Sequence, residues 1–108
     1  MTSTLPLTFA ALGDTIRFAI VERLLNNGKL SAGELLDVAD VSAPAISRHL
    51  KVLREAGIVT QTVVGQKRIY AVRPGAVAEI NTWMMSHEAF WSASLDRLEA
   101  VIDEDDDV

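Results

Sequence analysis

Residues 42–57, SAPAISRHLKVLREAG, are followed at once by IVTQTVV, a Gly65-Gln66 pair and KRIYAV. Ile46, Leu50 and Leu53 of the first run share one face at about 100° per residue, which is helical spacing. The later runs are rich in β-branched residues and are joined by a two-residue turn containing glycine, a hairpin signal. The inner face of the helix docks on the core. Ser42 caps the helix, Pro44 occupies its first turn where the missing N–H is harmless, and Gly57 ends it as a C′ glycine.

The segment before this helix reads as another. Ser31 followed three residues later by Glu34 is a capping box, so a helix is predicted over 31–38 with Leu35 and Leu36 inward. Residues 30–57 then read as helix, tight turn, helix. Upstream, Asp14 caps a helix running to about Asn26, stopped by Asn26, Asn27 and Gly28. Its inward residues are Ile16, Ile20 and Leu24 together with Phe18, Val21 and Leu25, while Arg17, Glu22 and Arg23 face water. Leu5, Leu7, Phe9, Ala10 and Leu12 form a short first helix ended by Gly13 as a C′ residue.

After the hairpin, residues 76–85 are predicted helical with Val77, Ile80 and Met84 spaced for burial. A last helix over 88–103 places Trp91, Leu95, Leu98 and Ile102 at spacings of four, three and four, a narrow apolar stripe. The predicted fold is mostly α with a small β-hairpin, in the order four helices, two strands, two helices. Residues 1–102 form one domain, and 103–108, DEDDDV, form a disordered acidic tail that offers nothing to bury.

Several function classes fall away on composition. The chain has no Cys, which removes disulfides, thiolate metal sites and thiol redox sensing. No apolar run approaches the ~18 residues that span a bilayer, and the opening MTSTLPLTFAALGD has no basic stretch, so no membrane partner and a cytoplasmic location are expected. Neither His49 nor His87 has a Ser and a carboxylate at a recognisable motif spacing, so the chain is read as not an enzyme, with no cofactor.

The formal charge of −5 is divided unevenly. Residues 1–43 hold three cations against five acids, and 74–108 hold Arg97 against nine acids. Between them Arg48, Lys51, Arg54, Lys67, Arg68 and Arg73 stand against Glu55 alone. Beyond a Debye length of ~8 Å the distant acids are screened, so this middle block attracts a polyanion despite the acidic total. Opposite the buried face of the 42–57 helix lie Pro44, Ser47, Arg48, Lys51 and Glu55. A helix presenting short polar and cationic residues near its N-terminus, after a tight turn from another helix, suits a major groove. Arg48 can offer its fork to guanine, Ser47 can bond a base edge or phosphate, and Lys67 and Arg68 at the hairpin tip can straddle the flanking backbone. A surface helix with ordinary solvated charges is the rival reading, and the second basic element on the hairpin counts against it. A further alternative is a module whose basic patch meets an acidic protein.

The run ALGDTIRFAIVERLL and then LSAGELLDVADVSAPAISRHLKVLREAGIVTQTVVGQKRIYAV, about residues 9–73, resembles the ArsR/SmtB-type winged helix-turn-helix regulators. VSAPAISRHLKVLREAGIV is its most specific portion. The resemblance implies a homodimer that binds a near-palindromic operator in double-stranded DNA, usually as a repressor released by an effector. It places groove-reading residues at Ala43, Pro44, Ser47 and Arg48 of helix 43–56, and a wing on Gln66, Lys67 and Arg68. Ser42, His49, Lys51 and Arg54 complete the expected DNA surface. Ala43 and Pro44 have no hydrogen-bonding side chain, so base readout leans on Ser47 and Arg48. His49, at the border of the buried face, either bonds a backbone carbonyl inside the protein or touches DNA.

Departures from the family pattern are equally informative. Positions where the arsenic and lead sensors carry a cysteine pair hold Ser31 and Gly33, so thiolate sensing is excluded. The C-terminal region, where the family has a second metal site, offers His87, Glu88 and Asp96 per subunit, and His87 reads as a turn residue rather than a ligand. Thr15 stands where the family usually has Pro after Asp14. The stripe of Phe90, Trp91, Leu95, Leu98 and Ile102 has three possible uses, monomer core, ligand pocket or dimer seam. The resemblance favours the seam, formed with Leu5, Leu7 and Phe9 of the first helix. The effector stays open between metal, small molecule, acid and none.

Overall fold

A computed structural model of the chain describes residues 4–106, the last three by their backbone alone. It has two compact units with the boundary between Val77 and Ala78. In chain order the elements are α1 (Leu5–Leu12), α2 (Thr15–Asn27), β1 (Leu30–Ser31), a 3₁₀ helix (Gly33–Val38), α3 (Ala43–Glu55), β2 (Val59–Val64), β3 (Lys67–Val72), α4 (Pro74–Met85) and α5 (Glu88–Asp106).

The caps read from the sequence largely form. Asp14 Oδ2 accepts from the backbone N–H groups of Ile16 and Arg17 at 3.0 Å each, and Ser42 Oγ accepts from Ala45 N at 3.3 Å. Gly57 ends α3 with φ +75°, where a Cβ would be strained. Gly13, expected to end α1 in the same way, keeps right-handed φ −72° because its N–H still bonds back to Phe9 and Ala10 and Asp14 starts the next helix immediately.

A three-stranded antiparallel sheet replaces the two-stranded hairpin, with order β1-β3-β2. The hairpin register is as the turn dictates, with Val64 opposite Lys67 across Gly65-Gln66 and Gly65 at φ +61°. The added strand is Leu30–Ser31, paired with Tyr70 and Ile69. Ser31 therefore belongs to a sheet edge rather than to a helix. Its capping-box bonds nevertheless form, Ser31 N to Glu34 Oε1 at 3.0 Å and Glu34 N to Ser31 Oγ at 3.2 Å. The segment left after the strand is only Gly33–Val38, and it winds as a 3₁₀ helix, the form that short pieces favour.

One core holds the first unit together. Ile20, Val21 and Leu24 of α2, Leu35, then Ile46, Leu50 and Leu53 of α3, and Ile58, Val59 and Tyr70 are buried in a single cluster. Each fully buried Leu or Ile contributes roughly 1.5–3 kcal/mol, so three such residues fix which face of α3 turns to solvent. Some residues expected inside are not. Phe18 and Leu25 are 50% and 57% exposed, because they lie about 160° and 140° around α2 from Ile20. Leu36 is exposed beside buried Leu35, since successive residues of a 3₁₀ turn point about 120° apart and Leu35 takes the core-facing position.

In α4, Ala76 is buried, Ile80 is half-buried, and Val77 and Met84 are exposed. Spacing marks an apolar stripe without saying what covers it. In the second unit Trp83 stands 5.4 Å from the His87 ring and 6.1 Å from Trp91, and Phe90 lies edge-on to Trp91 at 5.0 Å. α5 continues to Asp106, beyond the boundary expected at residue 103, because each residue added to an existing helix gains a backbone hydrogen bond without a new nucleus. Asp107 and Val108 of the expected tail lie outside the described residues.

Candidate nucleic-acid interface

With Ile46, Leu50 and Leu53 turned inward, the opposite side of α3 is presented to solvent. Ser42, Ala43, Pro44, Ser47, Arg48, Lys51 and Arg54 are all exposed. On the sheet, Val63 pairs with Arg68, Gln61 with Tyr70 and Val59 with Val72. Side chains alternate along a strand, so Arg68 shares the face of buried Tyr70 and leans toward α3. The result is one open groove of about 500 Å³ lined by Ser47, Arg48, Lys51 and Arg54 of α3 and by Arg68 and Tyr70 of β3, with Ala32 and Glu55 at its margin. Four cations from two elements converge there. Lys51 Nζ lies 3.9 Å from Glu55 Oε1, an exposed pair worth little in water and easily exchanged for a phosphate.

Gln66, Lys67 and Arg68 meet Ser31, Ala32 and Gly33 around a second concavity of about 320 Å³. The tie between them is the bond from Ala32 N to the Arg68 carbonyl at 3.1 Å. Lys67 also helps hold the Glu34 carboxyl below its ordinary range, although the Ser31 backbone and side-chain hydrogen bonds are the larger causes. The hairpin tip is thus anchored to the segment that leads into α3.

His49 is the expected DNA residue that turns elsewhere. Its ring is half-buried, with Nδ1 3.2 Å from Arg17 Nη1 and 3.8 Å from Asp14 Oδ2. It meets a guanidinium at the α1–α2 junction, neither of the two partners weighed for it. Arg17 is correspondingly not a solvent residue, since its Nε donates to the Ala11 carbonyl at 2.7 Å. Arg73 also leaves the basic patch, donating from Nε to the Gly57 carbonyl at 2.6 Å. Sequence reasoning missed Tyr70 and Ala32 in the groove wall. Tyr70 was within reach of the two-residue strand period from Arg68, whereas Ala32 carries no chemical signal.

The residues expected at a dimer seam present apolar surface. Leu7, Phe9, Phe90, Trp91, Leu95, Leu98 and Ile102 are exposed, and Leu5 is half-buried. His87 lies in the turn between α4 and α5, its Nδ1 2.9 Å from the Trp83 carbonyl and 3.0 Å from Ser86 Oγ. Among the described residues no three His, Cys, Asp or Glu side chains come together as a metal site.

Known proteins are similar to this chain in sequence and fold. A profile described as a helix-turn-helix domain matches residues 12–62. An HTH-type transcriptional regulator of Mycobacterium tuberculosis is 40% identical over 90% of this chain and 87% of its own length. The transcriptional repressor SdpR of Bacillus subtilis is 30% identical over 72% of this chain and 86% of its own. The chain belongs to the ArsR/SmtB family of transcriptional regulators. The solved structure of an ArsR-like transcriptional regulator from a Rhodococcus species has a TM-score of 0.71 at 28% identity, covering 91% of this chain and 92% of that one. Membership in the ArsR/SmtB family makes the protein a winged-helix DNA-binding regulator of transcription rather than an enzyme. No helix among the described residues is long and apolar enough to cross a membrane.

Proposed function

We propose that this ArsR/SmtB protein is a homodimeric repressor of a near-palindromic operator. Each subunit seats residues 43–56 in a major groove and rests the wing, 65–68, on the adjoining backbone, with half-sites about 34 Å apart. Arg48 and Ser47 read base edges, while Lys51, Arg54, Lys67 and Arg68 hold phosphates. The observation that carries this reading is the convergence of Arg48, Lys51 and Arg54 with Arg68 of a separate element on one groove. Homodimerisation is supported by the exposed apolar faces of α1 and α5, since apolar surface on that scale calls for a cover. Repression is supported by relatives named as repressors, SdpR and the arsenical resistance operon repressor of Escherichia coli. Such a regulator works in the cytoplasm, beside the chromosome.

A mobility-shift titration on the duplex upstream of its own gene, repeated at increasing salt, tests the proposal. Retarded complexes whose affinity falls linearly on a log–log salt plot are expected. Absence of any shift at low salt would overturn it.

A further inference from the structure

Arg17, His49 and Asp14 form a cluster that the DNA surface does not use, and it joins the recognition helix to the α1–α2 junction. Arg17 is held from both sides: Nε donates to the Ala11 carbonyl at the end of α1, and its own backbone N–H donates to Asp14 Oδ2 at 3.0 Å. Its Nη1 then reaches His49 Nδ1 at 3.2 Å. A guanidinium has donors only and keeps its proton, so Nδ1 must accept and the ring is neutral with hydrogen on Nε2. His49 stands next to Arg48 in α3, so any tilt that relieves or strains this bond moves Ser47 and Arg48 with it.

We propose that Arg17 is a positioning residue for DNA binding, setting the orientation of α3 through its hydrogen bond to neutral His49. The inference rests on the reading of α3 as the recognition helix. It also fixes the consequence of protonating His49. A proton on Nδ1 removes the acceptor and sets a second cation against Arg17. The alternative partner is Asp14 Oδ2 at 3.8 Å, already committed to the backbone N–H groups of Ile16 and Arg17. The Asp14 carboxyl is held below its ordinary range, first by the Arg17 backbone bond and also by the Arg17 charge, so it stays ionised as that rival acceptor. α1, LPLTFAAL, brings no titratable group to this junction. From α3, Glu55 shares with Arg17 a groove of about 370 Å³ lined also by Leu7, Ala10 and Val52, and Arg48 precedes His49 while Lys51 stands two residues after it. Protonated His49 thus exchanges a bond to Arg17 for a pull toward Asp14, and α3 shifts accordingly.

The test is fluorescence anisotropy on the duplex upstream of its own gene, from about pH 5 to 8 where imidazole changes charge, for wild type, Arg17→Ala, Arg17→Lys and His49→Asn. Asn keeps an acceptor near the Nδ1 position and does not titrate. At pH 8 both Arg17 variants are expected to lose about tenfold in specific affinity, the worth of one charge-assisted hydrogen bond, with unchanged far-UV circular dichroism. Arg17→Lys serves where Arg17→Ala fails to fold. Wild-type affinity should fall toward pH 5, and that of His49→Asn should stay flat. Unchanged affinity in both folded Arg17 variants overturns the proposal, as does wild-type binding that tightens toward pH 5 and is lost in His49→Asn, the behaviour of a side chain that touches DNA directly. Ring ¹⁵N resonances of His49 supply a readout without DNA: hydrogen on Nε2 at pH 8 in wild type and a tautomer mixture in the Arg17 variants. A protein that binds no DNA but gives this pattern sinks the repressor reading alone, and one with identical tautomers in all forms sinks this inference alone.

Discussion

Arg73 donates from Nε to the carbonyl oxygen of Gly57 at 2.6 Å, while its backbone N–H bonds the Ile58 carbonyl at 2.8 Å. The end of β3 is thereby clamped to the end of α3, where carbonyls lack helical partners and a cation is favoured. Gly75 belongs to the same clamp, since a Cβ there would collide with the Arg73 guanidinium. Arg73→Ala should cost about 1.5–3 kcal/mol of stability by denaturant titration, the range for a hydrogen bond to a charged group. Gly75→Ala should be destabilising in the same assay. For the Arg73 variant the salt slope of DNA binding should not change, which separates it from the other cations of the 44–73 block.

Lys67 and Arg68 should behave in the opposite way. Both are exposed, so truncation to Ala leaves folding stability within about 0.5 kcal/mol. Each truncation should weaken binding alike on specific and random duplexes and lower the log–log salt slope by about one for the phosphate that the side chain had neutralised. A change in sequence preference with an unaltered slope would move them to base readout.

If Arg48 reads a base as proposed, Arg48→Ala should weaken binding to the operator by about 1–3 kcal/mol, more than to random DNA, through loss of a bidentate base contact. Competition between operator and scrambled duplexes measures the difference. Equal weakening on the two would make Arg48 a phosphate ligand.

Where local chemistry decides the outcome, the sequence was legible. Asp14, Ser42 and Gly57 act as read because a cap needs only a side-chain oxygen or a missing Cβ at the right offset. The cationic face of α3 was legible because Ile46, Leu50 and Leu53 leave it one orientation. Partners distant in sequence were not. Leu30–Ser31 is a strand only because Tyr70 and Ile69 lie beside it, and a two-residue strand has no period to detect. Arg73 read as part of the basic block and His49 as bonding either a backbone carbonyl or DNA, and their partners Gly57 and Arg17 stand 16 and 32 residues away.

Stability should fall with acid in a defined direction. Asp14, Glu34 and Asp37 all have lowered carboxyl pKa values, from the Arg17 backbone bond, the Ser31 backbone bond and the Arg23 side-chain bond respectively. The unfolded chain then binds more protons than the folded one as pH drops through the carboxylate range, so their contribution is present above the unfolded values and lost below the folded ones. Melting temperatures should decline as pH falls below about 5, and Asp37→Asn, which breaks the 2.7 Å pair with Arg23, should flatten part of that decline.

The apolar face of α5 is open to solvent. Leu95 is 64% exposed and Leu98 is 55% exposed, so replacing both with Glu removes nothing from the core. Folding of one chain should therefore be nearly unaffected, as is usual for exposed substitutions. A seam between two copies responds differently, because each Glu meets its symmetry partner's apolar surface and has to be desolvated there without a cation. Sedimentation equilibrium should find dimers for the wild type and monomers for Leu95→Glu/Leu98→Glu. Operator affinity should drop by about a hundredfold or more, since two tethered half-site interactions become independent ones. The same double variant should keep its affinity for a single half-site, because the groove of Arg48 and Arg68 lies in residues it leaves alone.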